Sequence, residues 1–398
     1  MRRAAIVNPL RTPVGTFGGA LRPMPAEELA ALIIKAVLAR SGIDPARIDD
    51  VSFAQSYTNS EAPCIGRWAG LAAGLPIEVP GFQIDRRCGG GLQAVVTAAM
   101  MVQTGAADVV LAGGVESMSN IEYYTQDMRW GSRAGNVAFY DRLERGRERS
   151  QPEERFGKIS GMIETAENLA SRYNISRSAA DEFAARSHQR AAAAWAAGKF
   201  DDEVVPVSVP QRKGEPLEFT RDEGVRADST ADTLARLRTV MPEGTVTAGN
   251  SSQQNDAAAA CLVVAEDKLD ELGLEPLGYL VGWAAAGCEP AEMGIGPVPA
   301  VAKLFQRTGH TFDDIDLVEV NEAFAVQVLA VMKGWGFDDI DRLNVNGSGI
   351  SLGHPIGATG VRILTSMLHE LRRSGGRYAL ETMCVGGGQG MAALFEAP

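Results

Sequence analysis

A chain of 398 residues, 45% of them hydrophobic, is long enough for two domains or for one large domain with an insertion, and can bury a substantial core. Its formal net charge of -12 is spread without long runs, which argues against a phosphate-backbone partner and excludes nucleic acid as a main partner. The five cysteines, Cys64, Cys88, Cys261, Cys288 and Cys384, are odd in number and widely spaced, with no CxxC pair and no histidine at metal-ligand spacing, so a reducing compartment fits and no metal site is expected.

The opening run AAIVNPLRTPVG reads as a strand from about Ala4 to Val7 leading into a turn, which leaves no room for a cleavable presequence. The segment EELAALIIKAVLARSG places Leu29, Leu32, Ile33, Ala36 and Val37 on one helical face and stops at Gly42. A strand near Val51 to Ala54, a helix in PCIGRWAGLAAG and the run GFQID follow, and DRRCGGGLQAVVTAAMMVQTG then gives a Gly-rich turn and a helix. DVVLAGG reads as a buried strand, so the first 115 or so residues alternate strands and helices as an α/β domain does. From Ser117 to about Thr245 the character changes to an inserted lobe with two helices, TAENLASRYN and SAADEFAARSHQRAAAAWAAG. Its first part, from Tyr123 through GRERSQPEERFG, is expected to be a loop that meets a neighbouring subunit or a ligand. The core resumes at TAGNSSQQNDAAAACLVVAE, and a fresh α/β sequence runs through PLGYLVGWAAAG, PAVAKLFQRTG, DLVEV and NEAFAVQVLAVMKG to ALETMCVGGGQGMAALFE. No apolar run approaches the roughly 18 residues of a membrane span, and the ending LFEAP is no peroxisomal address, so a cytoplasmic location without a membrane partner is expected.

The stretch NVNGSGISLGHPIGATG, Asn344 to Gly360, is read as a strand giving way to a helix with His354 held between glycines and Pro355. GIDPARIDDVSFAQ resembles TFDDIDLVEVNEAF, and Ile48 to Cys88 is about as long as Ile315 to His354, so the two ends of the chain read as diverged copies with Cys88 and His354 on equivalent turns. Cys88 precedes three glycines at the start of a helix, whose N-terminal N–H groups, helped by Arg86 and Arg87, are expected to lower the thiol pKa to roughly 7 or below. Cys384 ends an apolar strand before Gly386, Gly387 and Gly388, whose N–H groups could bind an oxyanion. A thiolate nucleophile, a base and a second thiol suit acyl transfer coupled to enolate chemistry. Asn321 could hold a water or a carbonyl, or could equally cap the NEAF helix, with Glu322 as first-turn charge. Cys64, Cys261, Cys288, His188, His310 and His369 are expected to be structural. A dinucleotide turn in GSGISLG is the rival reading, but its spacing departs from the usual fingerprint.

CGGGLQAV with AGGVESMS, TAGNSSQQNDAAAA, GPVPA, NEAF, NVNGSGISLGHPIGATG and CVGGGQG, in this order, resemble the thiolases, which are acyl-CoA:acetyl-CoA acyltransferases. The resemblance implies an α/β fold of five layers, αβαβα, from two related domains: residues 1–117 with 246–272, and 273–398, with a loop lobe, 118–245, that covers coenzyme A. It implies a homodimer or homotetramer with no permanently bound cofactor, taking coenzyme A and acetyl-CoA as substrates in 3-ketoacyl-CoA thiolysis or the reverse condensation. Cys88 would carry the acyl group, His354 take its proton, and Cys384 protonate the departing acetyl-CoA carbanion. Cys88 and Gly386 N–H groups would form one oxyanion hole, and His354 with a water on Asn321 the other. Ser252 and Arg226 would contact coenzyme A, and Met162, Met293 and Phe324 would line the pocket. Gly161 and Ile163 stand where the short-chain members have a histidine and a glycine, which puts a strict acetoacetyl-CoA preference in doubt. A ketoacyl synthase-type condensing enzyme and a non-catalytic acyl-CoA-binding protein are the alternatives.

Overall fold

The computed structural model describes residues 2–398. Long apolar runs bury both faces of their strands, as in strand β5 below, where Ala258, Ala260, Leu262 and Val264 enter one core while Ala259, Cys261, Val263 and Ala265 enter another. The first half supplies β1 (Ala4–Arg11), α1 (Ala26–Ser41), β2 (Asp50–Ala54), α2 (Ile65–Ala73), β3 (Gly81–Ile84), α3 (Gly90–Thr104) and β4 (Val109–Ser117). The lobe contributes α4 (Arg142–Glu148), α5 (Met162–Arg172) and α6 (Arg177–Ala196), after which β5 (Asn255–Ala265) returns to the sheet. The second half supplies β6 (Gly278–Gly287), α7 (Pro297–Thr308), β7 (Leu317–Val320), α8 (Ala325–Trp335), α9 (Thr359–Ser374), β8 (Tyr378–Val385) and β9 (Gln389–Glu396).

The strands are ordered β3-β2-β4-β5-β1 in the first half and β6-β9-β8-β7 in the second, joined where Ala5 pairs with Tyr279 and Ile6 with Gly278. Three buried cores separate the layers. One lies between α1, α2 and the outer face of the first half, one between α7, α8 and the outer face of the second, and the third surrounds α3 and α9 between the two inner faces. This gives the αβαβα order expected above. Helix α3 carries no charged residue and α9 is buried without interruption from Thr359 to Leu371, as helices covered on all sides must be.

The two halves repeat one sequence of events. A 3-10 turn (Pro45–Arg47, Phe312–Asp314) leads into β2 or β7, then α2 or α8, a parallel partner, a turn, and α3 or α9. The parallel partner in the first half is β3, but in the second it is reduced to a single bridge between Val318 and Leu343. His354 is therefore not preceded by a strand, which corrects the sequence reading, because residues 344–355 spend their polar groups on side-chain bonds instead of a ladder. Asn344, for example, takes the Val320 N–H at 2.8 Å and donates to its carbonyl at 2.9 Å. The NEAF segment differs too: the helix starts at Ala325 with Phe324 extended as its cap, so Asn321 is not an N-cap. The lobe segment after Tyr123 is less featureless than expected, since it includes α4, a short helix at Glu153–Phe156 and a two-residue hairpin.

Candidate active site

The first turns of α3 and α9 cross with almost no space between their backbones. A Cβ on Gly360 would stand 2.1 Å from the Leu92 amide nitrogen, and one on Gly91 would stand 2.9 Å from the Gly357 carbonyl, so both positions need glycine for contact and not for a special φ. This crossing brings Cys88 and His354 to the wall of one cavity of about 390 Å³, together with Gly386, Ser252, Met162, Met293 and Phe324. Seven stretches far apart in the chain thus meet at a single place.

Cys88 lies in the 3-10 turn Arg87–Gly89 and is partly accessible. Its thiol pKa is raised, because burial outweighs the Gly386 N–H, the Arg87 and Arg147 charges and its own N–H, all of which favour the thiolate. The expectation of a thiol lowered to about 7 is thereby overturned: a helix start supplies partial charge, but desolvation is the larger effect. Cys384 is fully buried at the end of β8, and its pKa is pushed far up by burial and then by the neighbouring Cys88 and Cys288. Unlike Cys88 it sits behind the cavity wall.

His354 is fixed from three sides. Its backbone N–H donates to Asn255 Oδ1 at 2.8 Å, its Nδ1 lies 2.6 Å from Thr359 Oγ1, and Asn321 Nδ2 is 3.4 Å from both ring nitrogens. The Thr359 hydroxyl has one proton and directs it to the Pro355 carbonyl at 2.9 Å. Its oxygen therefore accepts from Nδ1–H, which leaves the lone pair of the ring on Nε2. Burial first, then the Arg362 and Arg147 charges, lowers the imidazole pKa to about 3. A neutral base and a neutral thiol thus line the same cavity.

Behind this pair, Glu116 accepts the N–H groups of Ser56 at 3.1 Å, Tyr57 at 3.2 Å and Gly357 at 2.9 Å, tying β4 to the loop that carries His354. Burial raises its pKa to about 7 against the pull of those three donors. Thr359, Asn255 and Glu116 were not singled out from sequence, although all three stand in the quoted motifs. Arg226 is exposed and lies outside the cavity, where its N–H donates to His188 Nδ1 at 3.3 Å. Ser252 lies on the cavity wall, with its N–H on the Ala323 carbonyl at 2.9 Å. His188, His369 and Cys261 are buried, and Cys64 is exposed.

The sequence model described as "Thiolase, N-terminal domain" matches residues 4–267 and that described as "Thiolase, C-terminal domain" matches residues 274–397. The chain belongs to the thiolase family. This thiolase is 47% identical over 397 residues to the acetyl-CoA acetyltransferase of Chromobacterium violaceum, covering 99% of each chain. It superposes on the Bacillus anthracis acetyl-CoA acetyltransferase with a TM-score of 0.95 at 42% identity, covering 100% of this chain and 99% of that one. The human mitochondrial 3-ketoacyl-CoA thiolase solved in complex with CoA gives 0.93 at 38% identity, with coverages of 100% and 98%.

Proposed function

We propose that this thiolase cleaves 3-ketoacyl-CoA with coenzyme A through an acyl-Cys88 intermediate, and that the reverse condensation uses the same groups. The observation that carries the reading is that Cys88 shares one cavity wall with a His354 whose tautomer leaves the ring lone pair on Nε2. Because both groups rest uncharged, Cys88 Sγ attacks the 3-keto carbon as its proton passes to Nε2, instead of waiting as a preformed ion pair. The Cys88 and Gly386 N–H groups face the oxygen of the acyl-Cys88 thioester, and His354 with a water on Asn321 serves the enolate oxygen. The C2–C3 bond then breaks, and Cys384 gives its proton to the departing acetyl-CoA carbanion. A thiol with a pKa far above the usual range holds that proton until a strongly basic carbon needs it. His354 passes the proton it took from Cys88 to the Cys384 thiolate. Coenzyme A then attacks the thioester, its proton going to His354 and on to Cys88 Sγ as the acyl group, shortened by two carbons, leaves on coenzyme A.

The same proposal assigns Ser252 to the pantetheine arm and Met162, Met293 and Phe324 to the pocket wall, supported by their place in the cavity. Arg226 as a contact for the nucleotide end has the weaker support, being outside it. It also divides the chain into 1–117 with 246–272, a lobe of 118–245, and 273–398, as the repeated order of elements suggests. A degradative role in the cytoplasm rests on the chemical preference for thiolysis and on five unpaired cysteines. Assembly as a homodimer or homotetramer is favoured by the exposed Trp130, Phe139 and Met128 of the lobe. The test is coenzyme A-dependent loss of 3-ketoacyl-CoA. Wild type should cleave, Cys88→Ala should neither cleave nor take up an acyl label, and Cys384→Ala should take up label without completing cleavage. Binding of acyl-CoA without any cleavage by wild type would reduce the assignment to a binding protein on this fold.

A further inference from the structure

The wall of the catalytic cavity beside Cys88 is cationic. Arg87 immediately precedes the nucleophile and stands in the left-handed region at φ 47, with its guanidinium 5.6 Å from the Tyr57 ring centre. Among the described residues no carboxylate pairs with it, and its side chain makes no hydrogen bond to the protein; the nearby Asp85 instead accepts the Arg87 backbone N–H at 2.7 Å. Arg147, from α4, lines the same cavity and is 23% exposed. Two carboxylates also line it. Glu144 is 59% exposed and pairs with Arg147 at 2.9 Å, and Glu164 is turned onto the N–H and hydroxyl of Ser160 at 2.8 and 2.6 Å. Neither neutralises Arg87.

Arg87, Tyr57 and Gly146 also form the partition to an adjoining cavity of about 650 Å³ whose wall includes Arg142, Arg145 and Arg149 against Asp85 and Glu122. Arg142 is used up by Glu122 at 3.4 Å and by Thr58, whereas Arg145 lies on the Tyr140 ring at 3.7 Å with its Nε buried and unpartnered. At Gly146 the partition is thin: a Cβ there would meet Tyr57 at 3.1 Å and the Arg87 guanidinium at 3.7 Å. Arg87 is partly exposed and carries its charge, without a carboxylate partner, at the edge of a cavity whose wall also includes Met118, Ile356 and Met293. The phosphates of coenzyme A do not fill this role, because the pantetheine arm separates them from the thioester that must lie against Cys88.

Resting on the thiolysis reading above, we propose that the acyl chain of the substrate ends in a carboxylate, held by Arg87 with Arg147, so that the substrates are CoA thioesters of 3-keto dicarboxylic acids. Cys88 takes the acyl group at C3 as the C2–C3 bond breaks and acetyl-CoA leaves with a proton. Coenzyme A then releases a dicarboxylic acyl-CoA two carbons shorter, the terminal carboxylate unchanged throughout. A guanidinium–carboxylate pair in such a site discriminates by about 10- to 100-fold against a chain ending in methyl.

The test compares coenzyme A-dependent cleavage of 3-ketoadipyl-CoA with 3-ketohexanoyl-CoA, and of 3-ketosuberyl-CoA with 3-ketooctanoyl-CoA, each pair differing in a terminal carboxylate for a methyl. Wild type is expected to favour the carboxylate member of at least one pair by about 10-fold or more in kcat/KM. Arg87→Met should collapse that ratio towards or below one, mainly through KM, and Arg147→Met should lower it less. Equal or better cleavage of the methyl-ended chains by wild type overturns the proposal. So does an Arg87→Met variant that slows both members equally, since Arg87 would then only tune the Cys88 thiol. Cleavage of no 3-ketoacyl-CoA at all sinks the thiolysis reading, and this proposal with it.

Discussion

The turns that start α3 and α9 occupy equivalent places in the two halves, yet they are held by different means. The Cys88 turn follows β3, a strand paired along its length with β2, so backbone hydrogen bonds place it. The His354 turn follows a loop, and the histidine is set by side chains, including Asn255 and Glu116 from the opposite half. A nucleophile needs only to be presented, whereas a base needs its ring orientation and tautomer defined, and side chains can define both.

The comparison breaks most completely at the crossing itself. Gly360→Ala is expected to destabilise the protein by about 3 kcal/mol or to prevent its folding, because the new methyl meets backbone that cannot rotate away. Thermal unfolding beside wild type checks this, and a Tm change under about 2 °C would show that the helices can part. Next in size, His354→Gln should lower kcat for thiolysis by about 10³-fold with the fold intact, which steady-state kinetics and circular dichroism would report. Thr359→Val removes the hydroxyl that fixes Nδ1–H at nearly constant volume. It should cost about 10- to 100-fold in kcat with little change in KM, and Thr359→Ser should restore most of it. An unchanged kcat would mean that the ring holds its tautomer without Thr359.

The smallest effects concern pH and have opposite signs in the two groups. The imidazole of His354 is lowered from 6.5 to about 3, so its contribution to stability is complete above pH 6.5 and is lost as pH falls towards 3. Glu116 is raised from 4.5 to about 7, so its contribution is complete below pH 4.5 and is lost as pH rises through 7. Urea unfolding at pH 5 and pH 7 should show less loss on acidification for His354→Gln than for wild type. Wild-type kcat/KM should also pass through pH 6.5 without a break from this histidine.

Much of this was legible in the sequence because glycine clusters mark close backbone approach. CGGG and GHPIGATG announced the two turns, and the matched spacing from Ile48 and Ile315 announced the repeat. Less legible was anything decided by what surrounds a group. The helix start above Cys88 argued for a lowered thiol pKa, and only its burial shows the reverse. Thr359 reads locally as a helix-start residue, and its bond to His354 follows from where a five-residue turn places the ring. Asn321 matched a cap pattern, but the chain stays extended to Phe324 before it coils.

Strand β5 also governs the order in which this protein can form. It lies between β1 and β4, pairing Ala4 with Ala265 and Val109 with Val264, although the lobe intervenes in the chain. During synthesis β1 therefore waits without a partner, and β4 with one edge unpaired, until residue 265 has emerged, the whole lobe having already been released. Contacts of such sequence separation make for slow folding, and the exposed edges of β1 and β4 are where a chaperone would have to act while the ribosome finishes the central strand.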